Sequence, residues 1–266
     1  MKIYGCQFDI AWENKTENFE RVRKLLANRR LSPGSLVILP EMFATGFSMN
    51  AKAIAEQSNG PTDIFLRKLA REKGIFVLGG LVRLGSRGRV FNEAVCISPS
   101  GRRVARYDKL HLFSPGHESR HYAPGAKIVL FGCGKLQVAV FICYDLRFPE
   151  IFRMAAQRGA NVLVVIANWP SKRRSHWTAL LRARAIENQA YTIGVNRSGN
   201  DPQHNYHGGS LIVSPWGETV AEAGRSETLL SAKLDSTAMN QVRSEFPVLR
   251  DLRTCFALKK RNGKPW

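Results

Sequence analysis

Residues 136–150 read Leu136-Gln-Val-Ala-Val-Phe-Ile-Cys143-Tyr144-Asp-Leu-Arg-Phe-Pro149-Glu150. A nearly unbroken apolar run of this length is the pattern of a strand buried inside a sheet. It runs straight into Cys143, and Pro149 then opens an amphipathic helix carrying Ile151, Phe152, Met154 and Ala155. A cysteine at such a junction is lifted clear of the sheet at a sharp turn. The backbone N–H that follows it, on Tyr144, is left free to donate to an oxyanion. Thiolate nucleophiles are favoured where a helix start or a nearby cation lowers the thiol pKa. A buried structural cysteine at a strand end is the competing reading of this stretch alone.

Working outward, the same mixture of elements fills the chain. Ile3–Ile10 alternates like a strand, and Asn14–Leu31 has helical spacing through Phe19, Val22, Leu25 and Leu26 until Ser32-Pro33-Gly34 stops it. Leu36–Leu39 is a second fully apolar strand. Pro61–Lys73 predicts a helix with Pro at its start and Gly74 just past its end. A strand is expected over Ile75–Val82, and turns at 85–88 and 98–101 then predict antiparallel hairpins. In the second half, strands are expected at Ile128–Phe131, Leu136–Ile142, Val162–Ile166, Tyr191–Val195 and Ser210–Val213, and around Thr219 and Leu229. Helices are expected at Pro149–Arg158 and Ser175–Asn188. No linker, repeat or low-complexity segment interrupts the chain, which predicts one domain over residues 1–266 with a basic tail over about 247–266. Buried strands with two helices in each half suggest sheets inside and helices outside. A doubly wound single sheet fits the same pattern.

Composition narrows the class. The 266 residues are 44% hydrophobic, enough apolar content to offset chain entropy and exclude disorder. No apolar run approaches the roughly 20 residues that cross a bilayer, and the alternating N-terminus reads as a strand, not a signal peptide. The five cysteines, Cys6, Cys96, Cys133, Cys143 and Cys255, are odd in number and widely spaced. That pattern argues against a disulfide framework and for a reducing compartment, so the cytoplasm is expected. Forty Lys and Arg against 21 Asp and Glu give a net charge of +19. So basic a chain raises nucleic acid as a partner, but the charges are scattered and no recognition helix or aromatic platform accompanies them. A solvated basic surface is the better reading.

Two further stretches bear on chemistry. Leu36-Val-Ile-Leu-Pro40-Glu41-Met-Phe43 places an acid at the end of an apolar strand, where partial desolvation suits it to general base work. Tyr107-Asp108-Lys109-Leu-His111-Leu-Phe113 sets Lys109 among apolar neighbours, where an ammonium can hold charge developing on a carbonyl oxygen. In this order, the blocks around Glu41, Lys109 and Cys143 resemble those of the carbon–nitrogen hydrolase (nitrilase) superfamily, from Ile3 to about Pro247. The resemblance implies a four-layer α-β-β-α sandwich of mixed sheets and a Glu-Lys-Cys triad made of Glu41, Lys109 and Cys143. It also implies a supporting glutamate at Glu118, dimers or larger assemblies, and no metal or organic cofactor.

Within that superfamily, Asn168-Trp169-Pro170, Arg173, His176-Trp177 and Arg182–Tyr191 look like the ω-amidase branch, whose members hydrolyse the side-chain amide of 2-oxoglutaramate or 2-oxosuccinamate. A substrate with a carboxylate far from its amide wants a bidentate cation, which Arg173 can supply. Phe43, Tyr107, Phe113, Phe148 and Trp169 are the expected pocket walls. Nitrilase and N-carbamoyl amidase chemistry use the same triad and stay open. His117-Glu118-Ser119-Arg120-His121 also fits the HExxH pattern of zinc peptidases, but flanking Pro and Gly leave scarcely two helical turns for it.

Overall fold

The computed structural model describes residues 1–27 and 29–253. Strands β1 (Lys2–Gln7), β2 (Leu36–Ile38), β3 (Phe76–Leu84), β4 (Val90–Ile97) and β5 (Arg103–Asp108) build the first half. Helices α1 (Lys15–Ala27), the single turn α2 (Ala51–Ile54) and α3 (Pro61–Lys73) are set between them. The second half contains β6 (Leu130–Cys133), β7 (Leu136–Ile142), α4 (Pro149–Gln157), β8 (Val162–Ala167), α5 (Arg174–Asn188) and β9 (Tyr191–Asn196). A hairpin of β10 (Ser198–Asn200) and β11 (Asn205–His207) follows, then β12 (Leu211–Val213), β13 (Thr219–Glu222), β14 (Thr228–Lys233) and α6 (Ser236–Glu245).

Two six-stranded sheets result, ordered β14-β1-β2-β3-β4-β5 and β13-β12-β9-β8-β7-β6. Each has three parallel strands at its centre, β1-β2-β3 in one and β7-β8-β9 in the other, flanked by antiparallel strands. The period of two in β2 shows how the layers form. Leu36 and Ile38 face the core shared with the second sheet, while Val37 and Leu39 face the layer holding Val22, Leu26, Phe65 and Leu69 of α1 and α3. α5 closes on β9 at Gly194, where an added Cβ would stand 2.4 Å from Leu181 and 2.6 Å from Trp177. The architecture is an α-β-β-α sandwich, and the single doubly wound sheet is excluded.

α3 has the expected bounds, with Pro61 in its first turn and Gly74 in the left-handed conformation after its last. α1 ends at Ala27, short of the expected Leu31, with Asn28 outside the described residues. α2, the β10–β11 hairpin and α6 were not anticipated. The expected basic tail begins with a short turn at Val248–Arg250, and from residue 254 onward it lies, with Cys255, outside the described residues. No helix among the described residues is long and apolar enough to cross a membrane.

Candidate active site

Three strand ends meet where the sheets stack. β2 runs out through Leu39 and Pro40 into Glu41, and Met42 after it takes a left-handed φ of 44°. Gly80 of β3 makes this exit possible, since a Cβ there would stand 2.5 Å from Met42 N and 2.7 Å from Glu41 Cα. β5 delivers Lys109, whose N–H is anchored on the Asn92 carbonyl of β4 at 2.9 Å. β7 ends at Cys143, which takes a left-handed φ of 46°, a strained conformation for a side chain with Cβ. A 3₁₀ turn over Cys143–Arg147 then leads into α4.

Glu41, Lys109 and Glu118 are fully buried. Lys109 Nζ lies 3.0 Å from Glu41 Oε1 and 2.9 Å from Glu118 Oε2. Asn92 Nδ2 bridges the two carboxylates, donating to Glu41 Oε1 at 2.7 Å and Glu118 Oε1 at 3.0 Å. From the second sheet, the Asn168 backbone N–H donates to Glu41 Oε2 at 2.8 Å, and Asn168 Nδ2 donates to the Glu41 carbonyl at 2.8 Å. Cys143 Sγ stands 3.8 Å from the carbonyl of Asn168, the residue whose backbone N–H donates to the Glu41 carboxylate. Burial would push the Lys109 ammonium down, but the Glu118 and Glu41 carboxylates outweigh it and hold its pKa above the ordinary lysine value. Burial raises Glu118 against the opposing pull of Lys109. Burial, then the Glu41 charge, pushes the Cys143 thiol well up, so at rest sulfur keeps its proton beside a carboxylate able to take it. Cys6, Cys96 and Cys133 are buried in the core, whereas Cys143 is partly open.

Asp145 fixes the turn that carries the thiol. Its carboxylate accepts from Ile142 N at 3.0 Å, from His111 N at 2.9 Å and from the Tyr107 hydroxyl at 2.7 Å, tying the Lys109 segment to the Cys143 segment. From α5, the buried Arg184 donates to the Leu146 carbonyl at 2.7 Å.

A cavity opens above Cys143, lined among others by Phe47, Phe113, Tyr144, Arg147, Trp169 and Arg173. It shares Phe113, Arg173 and His204 with a wider outer cleft. Of the residues expected at the pocket, Phe113, Tyr144, Trp169 and Arg173 line this cavity. Phe43, Tyr107 and Phe148 line neither space and are corrected. Phe43 packs with Phe19 and Phe65 in the helix layer, Tyr107 is spent between the sheets on Asp145, and Phe148 stacks on His111. Asn92, Asp145, Asn168 and Arg147 were missed. A polar residue inside the apolar β4 was the available signal for Asn92. The HExxH stretch forms no helix with two histidines on one face. His117 takes a left-handed φ of 55° between 3₁₀ turns, and Glu118 turns inward to Lys109.

Comparison with known proteins gives the family of the chain. The carbon-nitrogen hydrolase family model matches residues 5–244. The 2-oxoglutaramate amidase of Bacillus subtilis is 33% identical over 252 residues, covering 94% of this chain and 97% of its own. An omega-amidase of Xenopus laevis is 33% identical over 250 residues, 90% of each chain. Among solved structures, a CN-hydrolase superfamily protein of Xanthomonas campestris with an arsenic adduct in its active site superposes with a TM-score of 0.91. Its identity is 32%, over 97% of this chain and 99% of that one. Matched by the family model and by these relatives over nearly its whole length, the chain belongs to the carbon-nitrogen hydrolase family, as an amidase of the omega-amidase-like branch.

Proposed function

We propose that the protein hydrolyses a small amide bearing a carboxylate, of the kind of 2-oxoglutaramate or 2-oxosuccinamate, to the 2-oxo diacid and ammonia through a thioester on Cys143. The observation that carries the reading is the meeting of a carboxylate, an ammonium and a thiol beneath one small cavity whose walls hold Arg173. Cys143 Sγ attacks the amide carbonyl carbon as Glu41 takes its proton. Lys109 Nζ and the Tyr144 N–H hold the oxyanion, each such donor being worth on the order of 3 kcal/mol in acyl transfer. The C–N bond breaks as Glu41 passes the proton to nitrogen, and ammonia leaves. Water then adds to the thioester, losing a proton to Glu41. Collapse returns the diacid and the thiol, which recovers that proton. Glu118 holds Lys109 charged and in place. Arg173 takes the distal carboxylate. The similarity to the Bacillus subtilis 2-oxoglutaramate amidase supports this substrate class.

The test is ammonia release from 2-oxoglutaramate, glutamine, a simple nitrile and an N-carbamoyl amino acid. Preference for the 2-oxo acid amide is expected, with Cys143→Ala folded and inactive. Faster turnover of the nitrile or the carbamoyl compound, or an active Cys143→Ala protein, overturns the reading.

A further inference from the structure

Two guanidiniums face the cavity, and neither is held by a carboxylate among the described residues. Arg173 lies over the Phe113 ring, 5.3 Å from its centroid. Arg147 lies over the Trp169 ring at 4.9 Å, with an Nη2 3.3 Å from His176 Nδ1. Aromatic faces orient both forks without neutralising them, which leaves their donors for a ligand. No acidic residue lines the cavity wall.

The two cations are placed differently in the wall. Arg147 lines only the inner cavity beside Cys143 and Tyr144, four residues along the same turn. Arg173 lines both that cavity and the outer cleft. An amide whose carbonyl carbon sits at Cys143 and whose carboxylate reaches Arg173 lies in a cavity whose wall also holds Arg147.

Resting on the function proposed above, we infer that Arg147 is a specificity residue that reads the substituent next to the substrate carboxylate. It donates to a 2-oxo oxygen and repels a 2-ammonium. An oxo group accepts a charge-assisted hydrogen bond there. The ammonium of an amino acid amide meets two guanidiniums with no acid facing it, so asparagine and glutamine are disfavoured on charge alone. A methylene neither gains nor is repelled.

Three compounds differing only at that carbon separate these effects: 2-oxosuccinamate, succinamate and asparagine. Their binding is measured by tryptophan fluorescence on the Cys143→Ala protein, so that no turnover is needed, with Arg147 intact and as Arg147→Gln or Arg147→Lys. With Arg147 intact, 2-oxosuccinamate should bind about 10- to 100-fold more tightly than succinamate, the range expected for one hydrogen bond to a charged group. Asparagine should bind most weakly. Arg147→Gln should collapse the oxo-to-methylene ratio toward one and relax the exclusion of asparagine. Arg147→Lys should keep the exclusion while losing part of the oxo preference. An unchanged ratio in Arg147→Gln, equal weakening of all three compounds, or no oxo preference with Arg147 intact overturns the assignment. Failure of the wild-type protein to release ammonia from 2-oxosuccinamate, with the binding ratios as expected, would instead overturn the proposed reaction and leave Arg147 as a reader of 2-oxo acids.

Discussion

The two sheets share one plan, three parallel strands with antiparallel edges, yet they contribute different things to the site. The first supplies buried charge: Glu41 from the end of β2, Lys109 from the end of β5 and Glu118 from the loop beyond it, with Asn92 of β4 between them. The second supplies the thiol and the cavity wall: Cys143 after β7, then Asn168, Trp169 and Arg173 after β8. Neither half is complete. Glu41 gets its second pair of donors from Asn168, and the Cys143 turn is braced by Tyr107 and the His111 N–H through Asp145. Ligands favour the carboxyl ends of parallel strands, and in a stacked pair of sheets two such ends converge. The site is thus a property of the interface between the sheets, and the sharpest tests are those that cut one side from the other.

Glu41→Gln cuts deepest. It keeps the shape and the hydrogen bond from Asn168 but removes the proton acceptor, so kcat should fall by about 10²- to 10⁴-fold. Rapid-quench measurement should find no burst of ammonia, and a normal burst would remove Glu41 from acylation. Asp145→Ala cuts the brace. It strands the Ile142 and His111 amides, the Tyr107 hydroxyl and the His111 ring Nδ1, four partners with one acceptor gone. At about 1–3 kcal/mol for each unsatisfied buried group, a loss of about 3 kcal/mol or more is expected in denaturant unfolding. A midpoint like the wild type would mean the sheets are coupled elsewhere.

The sequence was informative where local and tertiary demands agree. Pro61–Lys73 carries its own start and stop, and Leu136–Ile142 is apolar because both of its faces are covered, so both segments form as written. Glu41 and Cys143 stand out because each comes at the end of an apolar run, whereas Lys109 follows Asp108 and stands out only together with the other two blocks. Phe43, Tyr107 and Phe148 misled for a reason of the same kind. An aromatic beside a strand end has two or three faces to choose from, and only packing decides which. α6 was missed because only Met239 and Val242 among its ten residues are buried, too few for a legible stripe, although Asp235 caps it through Thr237 N and Ala238 N. Asp145 lay in full view inside the quoted stretch, but its partners Tyr107 and His111 lie 38 and 34 residues away.

The cavity rim gives a smaller, more selective effect than the buried cluster. Arg173→Gln leaves Glu41, Lys109 and Cys143 untouched and removes the cation at the mouth. KM for a carboxylate-bearing amide should rise about 10- to 100-fold, the value of a charged hydrogen bond, with kcat changing far less. An uncharged amide such as propionamide should show no matching rise. Equal loss on both amides would mean that Arg173 supports the loop instead of binding the acid.

The smallest effect should come from Phe43, two residues from Glu41 yet on the far side of its sheet. Its ring packs 6.2 Å from Phe19 and 6.1 Å from Phe65, while Glu41 turns toward Lys109. Phe43→Leu nearly conserves volume, so it should cost under about 1.5 kcal/mol in denaturant unfolding. Because the β2 exit is held by Gly80 and by the Phe43 N–H on the Gly80 carbonyl at 3.3 Å, neither of which involves the ring, kcat and KM should stay at wild-type values. A shift in KM would return Phe43 to the cavity wall and blur the division between the helix layer and the sheet interface.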